Sequence, residues 1–172
     1  SAMMLLAAVV ETRMCASSPR ASTEADRSGS HVTAASTCRA LNIAAAAGVI
    51  GAVTTSWIVI KKPDLSMMLN GAIAALVAIT AACAFVAPWA ALLIGFVAGV
   101  IVVLGSLLVE KVGIDDPVGA MAAHGMSGVW GTLALGFLTV PELADKLATG
   151  KGGLFYGGGF HQLGVQALGL AA

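Results

Sequence analysis

Charge is scarce in this chain. Only 10% of its 172 residues are Asp, Glu, Lys or Arg, where a typical soluble domain carries about 25%. Aromatic residues are few as well, at 5% with a single tyrosine, so an aromatic-rich, water-soluble core is a poor fit. Nine basic and nine acidic side chains cancel to a net charge of zero, and no basic cluster offers a nucleic-acid surface. The three cysteines, Cys15, Cys38 and Cys83, form neither a CxxC nor a Cys/His metal pattern. Neither a metal centre nor a cofactor is expected. The glycines at 152, 153 and 157–159 precede no Walker lysine. They read as a flexible entry to the last apolar run. No Ser/His/Asp arrangement resembles a nucleophilic triad, so the chain is not expected to be an enzyme.

What is abundant is apolar mass. Hydrophobic residues make up 58% of the chain and mean hydropathy is +0.93. Ala, Val, Leu, Ile and Gly supply most of it, a mixture that suits closely packed membrane helices. The few charges fall in clusters. Leu41–Ile60 carries none, and Lys61, Lys62 and Asp64 follow. Leu65–Val109 carries none, and Glu110, Lys111, Asp115 and Asp116 follow. Pro117–Pro141 and Gly152–Ala172 are also uncharged.

A bilayer core about 30 Å thick needs about 20 helical residues. Leu41–Ile60 fits one span. Leu65–Val109 is twice as long and must fold back, most naturally at Ala87-Pro88, because proline disfavours helix in the residue before it. That predicts spans over 65–86 and 90–109, another over Pro117–Val140, and the start of a fifth over Phe155–Ala172. The fold class is therefore an all-α polytopic membrane helix bundle, with four spans and the beginning of a fifth. With alternating spans, Lys61, Lys62 and Lys111 share one side, which the positive-inside rule makes the cytoplasmic one. Residues 1–37, rich in Ser, Thr, Ala and Arg, read as an irregular or disordered leader. Met3–Val10 is too short for a span and lacks the basic start of a signal peptide.

Within a membrane, helices associate through small residues that let backbones approach. Gly95 and Gly99 form GxxxG. Ala120, His124, Gly128, Thr132 and Gly136 recur every four residues, which places them along one face of an α-helix. Asp116-Pro117 has the form of an N-cap followed by proline at the first helical position. Asp115 and Asp116 suit the positive end of the helix dipole, and they read as a structural cap rather than a catalytic pair. His124 is the one titratable side chain other than Cys83 inside the four full spans. Counted from Pro117, it lies about 10 Å into its helix. An ionisable group in such a place faces a cavity or a partner. A neutral imidazole offers one N–H donor and one lone pair, so it can accept a hydrogen bond from a small N–H donor or donate one to a lone pair. A histidine tying two helices together is the other reading of the same position.

The segment GIDDPVGAMAAHGMSGVWGT at residues 113–132 resembles the ammonium transporter and Rhesus family, and more closely its ammonium transporter branch. The resemblance extends back through Lys62-Pro63, residues 70–80 and residues 89–95. Forward, residues 153–160 resemble eukaryotic members. It covers about residues 38–172, which makes this stretch a partial ammonium transporter domain. The resemblance implies spans seven to eleven of an eleven-span fold, a plasma-membrane homotrimer with one pore per subunit, and ammonium or ammonia as the transported species. It implies that His124 is the pore histidine of the tenth span, and that Asp115 and Asp116 are the acidic pair at its cytoplasmic start. Gly95, Gly99 and Gly128 are expected to pack helices.

Two departures from the family pattern carry expectations. The first six spans, with the partner histidine, are not present, so half a pore is not expected to conduct unaided. A non-conducting subunit that assembles with complete transporters, or an incomplete gene product, are the alternatives. Ala81 stands where the family often has proline after Ile-Thr, which is expected to remove a kink or break.

Overall fold

The computed structural model describes residues 29–114, 116, 119–142, 152–157 and 160–171, with side chains from Thr37 onward. Every regular element among them is helical. Helix α1 spans Gly29–Val59, α2 spans Leu65–Thr80 and α3 spans Pro88–Lys111. A π-helical turn over Met121–Met126 leads directly into α4, Ser127–Leu138. A 3-10 turn at Leu154–Tyr156 precedes α5, Phe160–Ala171.

Helix α1 begins earlier than the sequence pattern suggests. Residues 29–37, expected as the end of an irregular leader, already have helical backbone. No proline stands in this stretch to separate it from the alanine-rich helix that follows. At its other end Lys61 takes a left-handed backbone with φ 59°. The buried Ser56 hydroxyl donates to the Lys62 carbonyl at 2.9 Å and ties this turn to the helix. Asp64 then caps α2, accepting from the Ser66 N–H at 2.8 Å.

The second expectation to change concerns Ala81. Helix α2 stops at Thr80, not near residue 86, although no proline stands there. Tight turns replace it: the Ala82 N–H donates to Ile79 and the Phe85 N–H to Ala82, both at 2.9 Å. The Phe85 carbonyl instead accepts from the Val140 N–H at 2.9 Å. The break is thus held by a bond to the end of α4, a long-range contact that stands in for proline. Helix α3 opens at Pro88, after an extended Ala87 with ψ 156°, as the Ala87-Pro88 pattern suggests.

Two helical stretches, Thr37–Val59 and Pro88–Lys111, are long and apolar enough to cross a membrane. The other two expected full spans are shorter or irregular. Helix α2 has 16 residues, which at 1.5 Å per residue is about 24 Å. The fourth is divided between the π-helical turn and α4.

The core is made of small residues. Ala44, Ala74, Ala78, Ala90, Ala91 and Ala98 are fully buried, with Ile79, Ile94, Val102 and Val103 as the larger members. Such a core forms because the helices nearly touch backbone to backbone. A Cβ placed on Gly99 would overlap the Gly48 carbonyl oxygen, and one on Gly95 would overlap the Ala44 carbonyl oxygen. These pairs rise together in number, so α1 and α3 run parallel. A Cβ on Gly71 would stand 2.7 Å from the Gly48 oxygen and 2.5 Å from the Ala52 Cβ, and one on Gly48 would overlap Ala75. Those pairs run in opposite senses, so α2 lies antiparallel beside α1.

Gly128 does not take part in such a contact. The nearest atom to a Cβ there is Val77 Cγ1 at 3.9 Å, an ordinary packing distance. On α4 the close approaches fall at Gly131, where a Cβ would overlap the Ala78 carbonyl oxygen, and at Gly136, where one would stand 2.9 Å from Leu163 Cα. Overpacking a closely filled interior costs about 1–3 kcal/mol. Gly99→Ala is therefore expected to lower unfolding free energy in lipid bicelles by about that amount. Gly128→Ala is expected to leave it unchanged within measurement error. Equal effects of the two substitutions would contradict this packing.

Candidate functional site

The site is built on the passage from α3 to the π-helical turn. Helix α3 ends in a Schellman motif: the Gly113 N–H bonds to Glu110 at 3.0 Å and the Ile114 N–H to Val109 at 3.2 Å. Gly113 has φ +82°, which glycine adopts without the Cβ penalty. The chain then reaches Asp116, whose carboxylate accepts from the Ala120 N–H at 3.0 Å and from the Met121 N–H at 2.8 Å. Its backbone carbonyl accepts from Gly119 at 3.0 Å. Both carboxylate oxygens are thereby used on amides that the first helical turn leaves without partners. Asp115 and Pro117 lie outside the described residues. Gly119, with φ +69°, is pressed between α2 and α3. A Cβ there would stand 2.7 Å from Asn70 Nδ2 and 3.1 Å from Ser106 Oγ.

Regular helix starts at Ala120, so His124 lies about one turn from its beginning rather than the two turns counted from Pro117. The turn that carries it is π-helical, Met121–Met126. Its hydrogen bonds close over five residues instead of four. The Ser127 N–H bonds to the Ala122 carbonyl, and the Ser127 hydroxyl donates to the same oxygen at 3.1 Å. This turn breaks the expected four-residue stripe. The wide bond runs from Ser127 back to Ala122, so the residues on its two sides do not keep the register of a straight α-helix.

His124 is exposed on the surface of the chain, while Ala122, Ala123 and Ser127 beside it are buried. Its Nδ1 stands 3.3 Å from the Ala120 carbonyl oxygen. That contact is a hydrogen bond when Nδ1 carries the proton, and Nε2 then keeps its lone pair. The apolar side chains Met121, Met126 and Val129 of the same segment are exposed as well. The arrangement offers one hydrogen-bonding group on an otherwise apolar wall. It suits recognition and passage of a small species more than covalent chemistry.

Across the bundle, Trp130 Nε1 donates to the Ile94 carbonyl at 3.2 Å and ties α4 to α3. His161 is exposed near the start of α5. The glycines read as a flexible entry are in part well packed. Gly152 and Gly153 are buried, and the Gly153 N–H donates to Thr139 at 2.8 Å. A Cβ on Gly153 would stand 2.6 Å from the Phe137 oxygen. Gly158 and Gly159 lie outside the described residues. Among the described residues no His, Cys, Asp and Glu cluster is grouped to hold a metal. The residue that sequence reasoning passed over is Ser127. Nothing in a period-of-four reading marks it, because its bond runs to a carbonyl five residues back.

Comparison with known proteins places this geometry. A family profile described as the Ammonium Transporter Family matches residues 20–172, so the likeness starts before residue 38. The chain is 46% identical over 123 residues to ammonium transporter Amt2 of Archaeoglobus fulgidus, covering 66% of this chain and 26% of that protein. It is 42% identical over 117 residues to the ammonium transporter of Bacillus subtilis, covering 67% of this chain and 28% of that protein. The chain therefore spans only about a quarter of the length of these relatives. Among solved structures it superposes on Mep2 of Candida albicans with a TM-score of 0.74 at 28% identity, over 81% of this chain and 31% of that one. A sensor Amt protein gives 0.70 at 31% identity, over 81% of this chain and 33% of that one. The relatives are named as transporters, not as enzymes.

Removing a capping carboxylate costs about 0.5–2 kcal/mol. Asp116→Ala is expected to lower thermal stability in detergent by an amount in that range, with the loss concentrated in amide exchange at residues 120 and 121. Unchanged exchange at those two amides would remove Asp116 from the capping role.

Proposed function

This chain belongs to the ammonium transporter family, a family of membrane proteins, and on that premise we propose that it forms part of a transmembrane path for ammonium or ammonia lined by His124. The observation that carries the reading is the exposed imidazole on an apolar helix wall, presented by an irregular turn. An exposed ionisable group on an apolar wall is costly unless a cavity or partner receives it. In the tautomer bonded to Ala120, the Nε2 lone pair can accept an N–H from ammonium, and the apolar surround disfavours passage of fully hydrated ions. Gly95 and Gly99 act in this reading as packing residues that bring α3 close to α1. Asp116 stands in this reading at the cytoplasmic end of the path, on the same side as Lys61, Lys62 and Lys111, with Asp115 expected there from the sequence. The expected setting is the plasma membrane, and the expected assembly is a homotrimer with one path per subunit.

The test expresses the chain, or a longer polypeptide that contains it, in yeast lacking its own ammonium transporters. Where uptake of labelled methylammonium is measurable, His124→Ala is expected to reduce it at least tenfold or to change its selectivity against potassium. Flux and selectivity both equal to the parent would remove His124 from the path.

A further inference from the structure

Ser127 is fully buried, and the path described above gives it no contact with the transported species. Its hydroxyl nevertheless makes a bond that an α-helix cannot offer. In an α-turn the Ala122 carbonyl accepts from the amide four residues on, and a serine hydroxyl reaches back to the carbonyl three or four residues before it. Here the hydroxyl and the amide of Ser127 both bond to Ala122, five residues before. Sealed from water, the hydroxyl has to find its partner in the protein, and the Ala122 carbonyl is within its reach only while the turn stays wide. The facing helix is shaped to receive that turn. A Cβ on Gly105 of α3 would stand 2.7 Å from Met126 Sδ and 3.1 Å from Ala122 Cβ. The same turn holds His124 with its Nδ1 at 3.3 Å from Ala120.

We propose that Ser127 is a positioning residue for His124: its buried hydroxyl keeps the Met121–Met126 turn in the π register and so sets the direction in which the imidazole leaves the helix. Closing the turn to an α register removes one residue's worth of winding between Ala122 and Ser127, the stretch that carries His124. The imidazole then points elsewhere relative to the wall formed by α4, and its bond to Ala120 is remade or lost. The value of this to transport rests on the reading of His124 as a path-lining residue. The structural relation between the two residues does not.

The test uses the full chain labelled with 15N-histidine in lipid nanodiscs, at one fixed pH. His124 is assigned by the signals lost in His124→Gln, and His161 serves as an internal reference. Ser127→Ala is expected to displace the His124 imidazole signals by more than a line width and to leave His161 in place. Ser127→Thr, which keeps a hydroxyl, is expected to restore them. Deleting Gly125, around which a Cβ would meet nothing within 4 Å, removes the extra residue directly and is expected to displace the same signals. Parental His124 signals in a folded Ser127→Ala protein overturn the proposal. So do parental signals in the Gly125 deletion, which decides the matter if Ser127→Ala does not fold. These spectra stand apart from the uptake experiment: loss of the path reading leaves the spectroscopic outcome to be judged by itself.

Discussion

The near contact of three helix backbones at Gly48, Gly71 and Gly99 is the constraint on which the rest of this bundle depends. Apolar side chains gain little by leaving lipid for a protein interior, so helices in a membrane are held by dispersion at short range. Short range requires that no Cβ intervene. Gly99 meets the Gly48 carbonyl, and Gly71 meets the same carbonyl from α2. One oxygen of α1 is thus the point at which α2 and α3 both close. With α3 set this deeply against α1, its other side offers Gly105 to Met126 and the Ile94 carbonyl to Trp130. The placement of the π-helical turn and α4 follows from that.

Polar groups in the bundle are used to shape backbone where regular helix stops. Ser56 holds the left-handed turn at Lys61. Asp64 and Asp116 accept amides at the starts of α2 and of the His124 helix. Ser127 takes up the Ala122 carbonyl. In each case a short polar side chain bonds a backbone group at an irregular point of the chain, and at the buried Ser56 and Ser127 leaving that bond unmade would be costly. His124 differs from these. Its imidazole is exposed and retains bonding capacity beyond its contact with Ala120, which is what the proposed path-lining role requires.

Much of this was legible in the order of residues. The charge clusters at 61–64 and 110–116 mark helix ends because charge is excluded from apolar spans. Proline at 88 marks the start of α3 because it is tolerated at a first turn and not beyond it. The segment 113–132 carried the family. Gly95 stands out by its GxxxG spacing with Gly99, and both stand where α1 comes close.

Other features depended on contacts distant in sequence. The end of α2 at Thr80 has no local breaker; the Phe85 carbonyl is drawn to Val140, and a one-dimensional reading cannot pair them. The start of α1 at Gly29 lay under a composition that looked irregular. The four-residue stripe through His124 and Gly128 assumed uniform α-helix, whereas the turn that carries His124 is π-helical and the close contacts of α4 fall at Gly131 and Gly136. The sequence by itself determined which segments avoid water and where the few ionisable groups stand, because both follow from side-chain chemistry alone. Only the tertiary structure decided helix register and the direction of the imidazole. Those are set by which carbonyl lies within reach of a buried hydroxyl or a missing Cβ.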